Sequence, residues 1–143
     1  MYSILAGDTM GTTQDCGSNR SNQGFEDNLK KAVSEMLILK ILSEQPRYIG
    51  EITEIIKRRN GGVFEIVCPY SAIYRLLAQD YITELKKCIA PDGRRRQYYI
   101  ISDTGLEHLH NLTQYYEVFA SGVQAILHPE RSGQETIPIR QAE

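Results

Sequence analysis

From about Phe25 to Ser43, the apolar residues Leu29, Ala32, Val33, Met36 and Leu37 recur at steps of three and four, the spacing that gathers side chains on one face of an α-helix. Glu26 and Asp27 stand at its start, where carboxylates suit the helix dipole. Toward its end the run LILKIL is apolar almost all round, which predicts a helix packed both on its own core and on a partner. Glu44, Gln45 and Pro46 then stop it. A second helix is predicted from about Tyr48 to Arg59, with Ile49, Ile52, Ile55 and Ile56 on one face and Asn60-Gly61-Gly62 ending it through residues that accept positive φ. A third opens at Pro69, where a missing backbone donor is harmless, and continues to about Gln79. Its faces separate cleanly. Ala72, Ile73, Leu76 and Leu77 form the stripe to be buried, while Ser71, Tyr74, Arg75 and Ala78, flanked by Tyr70, lie opposite.

The period then changes. Tyr81 to Ile89 and Arg94 to Ile101 are rich in β-branched and aromatic residues, and Ala90-Pro91-Asp92-Gly93 joins them as a turn. This predicts a hairpin with a basic tip. Ser102 can cap a last long helix, along which Leu109, Leu112, Tyr116, Phe119, Val123 and Ile126 alternate at three and four residues, the heptad seam of helix pairing. His128-Pro129 ends it. Residues 6–24 carry Gly, Ser, Thr, Asn and Asp with almost nothing apolar, so residues 1–24 are expected to be a flexible tail, and 128–143 a second one. Between them the reading gives a domain over 25–101 and a dimerisation helix over 102–127. The fold class is therefore mostly α with a β-hairpin wing, a winged helix-turn-helix followed by a long C-terminal helix.

Length and charge sharpen this. A chain of 143 residues with a formal net charge of −2 holds one domain and is no generic polyanion binder. The sum hides a segregation: between Arg47 and Ile100 there are ten basic and six acidic side chains, net +4, against net −6 for the remainder. An anionic partner should meet the middle. No apolar run is long enough for a membrane span, and the first residues lack the pattern of a secretory signal, so a soluble, cytoplasmic protein without membrane contact is expected. Cys16, Cys68 and Cys88 show no C-x-x-C and suggest free thiols.

Three short helices followed by a basic hairpin is the element order of a winged helix, in which the third helix enters the major groove and the hairpin lies along phosphates. Tyr74 and Arg75 can donate to base edges or phosphates, Ser71 can do either at short range, and Arg94, Arg95 and Arg96 place positive charge where a phosphate strand would run. Lys57 and Arg58, with Arg59, offer a second backbone clamp.

These residues also resemble a known family, the PadR-like transcriptional regulators. The family's third helix typically carries a Leu-Tyr pair, an aliphatic-basic-basic-Leu core and Gly-Leu-Ile, against which PYSAIYRLLAQDYI (69–82) aligns without a gap. Its wing and following helix carry Gly-Arg, a basic residue, Tyr-Tyr and Ser/Thr-x-x-Gly, matched here by GRRRQYYIISDTG (93–105). The resemblance extends from about Phe25 to Leu127. It implies a homodimeric DNA-binding repressor or regulator, whose last helix pairs subunits and whose operator binding a small molecule often controls in the family; two-fold symmetry would make the operator palindromic. Tyr70 falls at the family's DNA-facing tyrosine. Pro69 replaces the usual leucine and Asp80 the usual glycine, and Asp tolerates left-handed geometry better than most residues.

Tyr115, Tyr116 and Phe119 are candidates to line an effector cavity, although aromatics at helical spacing are more often interface core. With no tryptophan, the chain cannot stack a planar ligand between indoles. His108 and His110 are two apart on a helix and diverge, so no metal site is expected. Cys68, before a helix, and Cys88, after Lys86 and Lys87, sit where thiol pKa values can fall, but small buried cysteines are commoner than redox sensors. No nucleophile-base spacing or phosphate-cradling loop is present, so neither a catalytic residue nor a cofactor is expected. The alternative reading is a winged-helix adaptor that binds protein and not DNA, and the positive middle favours DNA.

Overall fold

A computed structural model describes the backbone over residues 12–132 and the side chains over 23–131. Helix α1 (Thr12–Leu42) is the axis of the molecule and touches α2 (Ile49–Arg59), α3 (Pro69–Ala78) and α4 (Asp103–Leu127). Its last two turns explain why. Ile38, Leu39, Ile41 and Leu42 are all buried, in one cluster with Ile52, Ile55 and Ile56 of α2 and Ala72, Ile73 and Leu76 of α3. The all-round apolar run LILKIL therefore fills the core of a single chain, and no second subunit is needed to cover it.

Helix α1 also begins thirteen residues earlier than expected, at Thr12 instead of Phe25. The polar residues 12–24, expected as tail, continue it, although Thr, Ser, Asn and Gly are weak helix formers and nothing in their composition explains the extension. The rest of that expected tail, residues 1–11, lies outside the described residues. At the other end Pro129–Ser132 form a short helix, α5, and the expected tail beyond it lies outside them too.

Two small sheets complete the fold. Strand β1 (Arg47–Tyr48) pairs antiparallel with β5 (Tyr98–Ile101), which pairs on its other edge with β2 (Ile82–Glu84), while β3 (Cys88–Ile89) and β4 (Arg95–Arg96) form the outer hairpin. The register sets Cys88 opposite Arg96 and Ile89 opposite Arg95. The hairpin is thus present, but each of its predicted strands is broken in two. At the break, the Gln97 side-chain amide donates to the Leu85 carbonyl and, at 3.0 Å, to that of Tyr98, replacing ladder bonds with side-chain ones. Ala90-Pro91-Asp92-Gly93 is the turn, closed by the Gly93 amide on the Ala90 carbonyl at 2.8 Å.

Helices α3 and α4 meet at one joint. Asp80 holds φ +64, the left-handed conformation its position demands. The Ser102 hydroxyl lies 2.7 Å from the Asp80 carbonyl, to which it donates, and accepts from the Gly105 amide at 3.0 Å, which caps α4 as expected. Asp80→Val should cost about 1–2 kcal/mol of stability, because a β-branched residue fits left-handed backbone poorly. Urea denaturation measures this, and an unchanged midpoint would contradict it.

Candidate nucleic-acid interface

Helix α3 separates as its periodicity predicts. Ala72, Ile73 and Leu76 are buried and Leu77 is half-buried, while Tyr70, Ser71, Tyr74, Arg75 and Ala78 are exposed. Tyr70 and Tyr74 keep 60% and 64% of their surface open, which is unusual for two tyrosines on an ordered helix and leaves both hydroxyls free to meet a partner. Arg75 is not free. Its Nε donates to the Glu35 carboxylate of α1, forty residues away in sequence.

The wing sits beside the start of this helix. Arg96 donates to Asp92 Oδ2 at 2.6 Å, and its guanidinium lies over the Tyr48 ring, 5.1 Å from the centroid, near enough to Tyr70 to feel its phenol. That hydrogen bond, with a second at 2.9 Å from the Arg94 amide, holds the Asp92 carboxyl below its ordinary pKa. Arg96 is thereby committed to the wing's own structure. Arg94 and Arg95 are exposed and, among the described residues, form no ion pair. The same holds for Lys86 and Lys87, which the sequence reading counted as charge but did not place at the site. Their signal was present: a Lys-Lys pair opposite Arg-Arg-Arg across one turn.

The basic end of α2 differs. Lys57 reaches Glu65 at 2.9 Å and Arg58 reaches Glu54 at 3.8 Å, while Arg59 forks onto both oxygens of Glu44 at 2.7 and 2.8 Å. Hydrogen bonding holds Glu44 and Glu65 below their ordinary pKa and raises Lys57 and Arg59. Each expected clamp cation here already has a carboxylate, so of the two basic clusters the sequence offered for phosphates, the wing is the one that keeps unpaired charge.

Along α4 the heptad seam divides. Leu109 and Leu112 are half-buried against the chain's own core, and His108 stacks on Tyr81 with ring centroids 4.0 Å apart. From Tyr116 onward the seam is open: Phe119 is 56% and Ile126 80% exposed, and Tyr116 and Val123 are exposed as well. A groove of about 380 Å³ between α1 and α4 is lined by Leu29, Val33, Met36, Tyr115, Tyr116 and Phe119. The three proposed effector residues thus share one cavity wall. Among the described residues no cluster of His, Cys, Asp or Glu is arranged to hold a metal ion, and no helix is long and apolar enough to cross a membrane. Cys68 and Cys88 are both free thiols and exposed, against the expectation of small buried cysteines.

Residues 38–111, just over half of the chain, match the model of the PadR-like transcriptional regulator family, and this stretch contains most of the core, α3 and the wing. The chain belongs to that family. Members of the PadR family are transcriptional regulators that bind DNA, and not enzymes. Solved structures agree on the fold. A PadR-like transcriptional regulator from Bacillus cereus is similar at 25% identity with a TM-score of 0.59, covering 70% of this chain and 96% of its own. A transcriptional regulator from Clostridium thermocellum is similar at 23% identity and a TM-score of 0.60, covering 68% and 92%. A PadR family transcriptional regulator from Eggerthella lenta, at 22% identity and a TM-score of 0.59, covers 81% and 92%. No curated protein matches the chain.

Proposed function

We propose that this PadR-family regulator is a homodimeric repressor that binds a palindromic operator, with α3 in the major groove and the wing along the phosphates. Four unpaired cations on the wing, beside a helix whose exposed face is Tyr70, Ser71, Tyr74 and Arg75, carry the reading. That face offers hydrogen-bond donors to base edges, and the wing offers charge to the backbone. Two-fold symmetry in the protein would set half-sites about one helical turn apart. A gel shift with DNA from just upstream of the protein's own coding region tests this, and a complex that competitor DNA of shuffled sequence removes equally well would oppose it.

The dimer is supported by the open half of the α4 seam, a contiguous apolar stripe left exposed by the described residues. Pairing through Tyr116, Phe119, Val123 and Ile126 would cover it, while Leu109 and Leu112 stay with the chain's own core. Phe119→Glu should weaken dimerisation by about a hundredfold or more, since each subunit would bury a charge in the seam. Sedimentation at micromolar concentration should then show a folded monomer, and a variant that stays dimeric would refute the seam. The α1/α4 groove has the volume and apolar aromatic lining of a small-molecule site, which supports an effector that releases the operator.

A further inference from the structure

Arg75 is the one basic side chain on the exposed face of α3, and it is held from α1 by Glu35. The two groups are unequal: the Arg75 side chain is 57% exposed and that of Glu35 only 29%. Glu35 is also anchored. Its neighbour Ser34 is buried to 1% exposure and donates its hydroxyl to the Lys30 carbonyl at 2.6 Å, so the α1 backbone at this point is packed against the fold. The α3 backbone at Arg75 is packed as well, beside Ile73 and Leu76, so the two side chains meet between fixed helices, and the more buried carboxylate holds the more exposed guanidinium by its Nε.

We propose that Glu35 is a positioning residue for operator recognition, fixing Arg75 so that its Nη donors face the bases. The inference rests on the reading that α3 faces DNA. A guanidinium presents its donors in a rigid planar fork. With Nε committed to Glu35, the plane is set and the two Nη groups remain for a bidentate contact such as the O6 and N7 of guanine. An untethered arginine pays side-chain entropy when it docks and can swing to a phosphate instead; a tethered one has paid in advance and is kept off the backbone. The carboxylate also repels phosphates, so it discriminates against DNA on which Arg75 finds no base partner. Position and charge thus act in the same direction on specificity and in opposite directions on general affinity.

The test uses the full chain and two duplexes: the sequence that the wild-type protein selects from a random library, and one of the same length with that sequence shuffled. Glu35→Ala should lower the ratio of selected to shuffled affinity about fivefold, while affinity for the shuffled duplex holds or rises. Glu35→Gln, which keeps an acceptor for Nε, should retain more of the ratio than the alanine variant. In an Arg75→Ala background Glu35→Ala should leave the ratio unaltered, because the residue it positions is gone. If Glu35→Ala tightens both duplexes equally, Glu35 is only a repulsive charge and the proposal is overturned. If Arg75→Ala itself leaves the ratio intact, the base-facing reading of α3 fails first and takes the proposal with it. Thermal melts should show both Glu35 variants folded, since an exposed ion pair contributes little to stability.

Discussion

Gly105→Ala is expected to cost about 3 kcal/mol or more of stability, lowering the melting temperature by roughly 10 °C or more. A Cβ at this position would stand 2.0 Å from the Tyr81 carbonyl oxygen and 2.7 Å from a side-chain carbon of Ile101. The oxygen belongs to backbone and cannot rotate away as a side chain would. It is moreover engaged: the Ser102 amide donates to it at 2.9 Å, and the Ser102 hydroxyl lies 3.0 Å away. Relief requires α4 to back off from the segment that follows α3, and that breaks the bonds of Ser102 to the Asp80 and Tyr81 carbonyls and separates Tyr81 from its stack on His108. The close approach is thus what joins the recognition unit to the last helix. Calorimetry on the Gly105→Ala variant measures the effect. A melting temperature within a degree or two of wild type would mean that the joint has slack which the packing does not suggest.

That joint was legible in the sequence as Ser102-x-x-Gly105, a cap followed by a glycine, but its reason was not. A glycine one turn into a helix reads as a weak point in propensity, and only the three-dimensional approach of Tyr81 shows that no other residue fits. Helix α3 was legible for a simpler reason. Its burial is decided by periodicity alone, so Ala72, Ile73 and Leu76 announce the inside and Tyr70, Tyr74 and Arg75 the outside. Strand β1 left no such trace, because two residues after Pro46 carry no alternation; Arg47 and Tyr48 become a strand when β5 offers an edge opposite Tyr99 and Tyr98. The run LILKIL signalled the burial of Ile38, Leu39, Ile41 and Leu42, with Leu37 half-buried and Lys40 exposed, but composition cannot say whether the cover comes from the same chain. The heptad seam posed the same problem, and the structure divides it: α1 lies over Leu109 and Leu112, and the later positions remain open.

Charge was legible in sum and not in distribution. Basic residues at 57–59 and 94–96 look alike along the chain, yet the first set lies beside Glu44, Glu54 and Glu65 and the second largely does not. Pairing of this kind depends on which residues become neighbours across loops and helices, as Glu65 does for Lys57 and Glu35 for Arg75. It decides which cations retain an unmet need for an anion. An ion pair must be broken, at the cost of its hydrogen bonds, before its cation can serve a phosphate, whereas an exposed unpaired cation gains from the first contact.

The wing therefore yields the prediction with the widest reach. Replacing Arg94, Arg95 and Arg96 together by alanine should weaken binding to operator and random DNA alike, because side chains projecting from a hairpin onto phosphates add affinity without reading bases. Each phosphate contact contributes about one unit to the slope of log affinity against log salt, so three arginines set a ceiling of ~3 per subunit. The structure predicts a change nearer to ~2. Arg95 and Arg96 are adjacent on β4 and point to opposite faces of the hairpin; Arg96 turns to Asp92 and the Tyr48 ring, while Arg95 and the preceding Arg94 are exposed and unpaired. The single variants separate these roles. Arg94→Ala and Arg95→Ala should each remove about one unit of slope, whereas Arg96→Ala should leave the slope nearly unaltered and loosen the wing. Removing Lys86 and Lys87, exposed and unpaired on the other side of the hairpin, should reduce the slope further if the wing lies flat along the backbone. A salt slope indifferent to the triple substitution would place the wing away from DNA, and an exposed basic hairpin with no phosphate to meet would then favour an acidic protein surface as its partner.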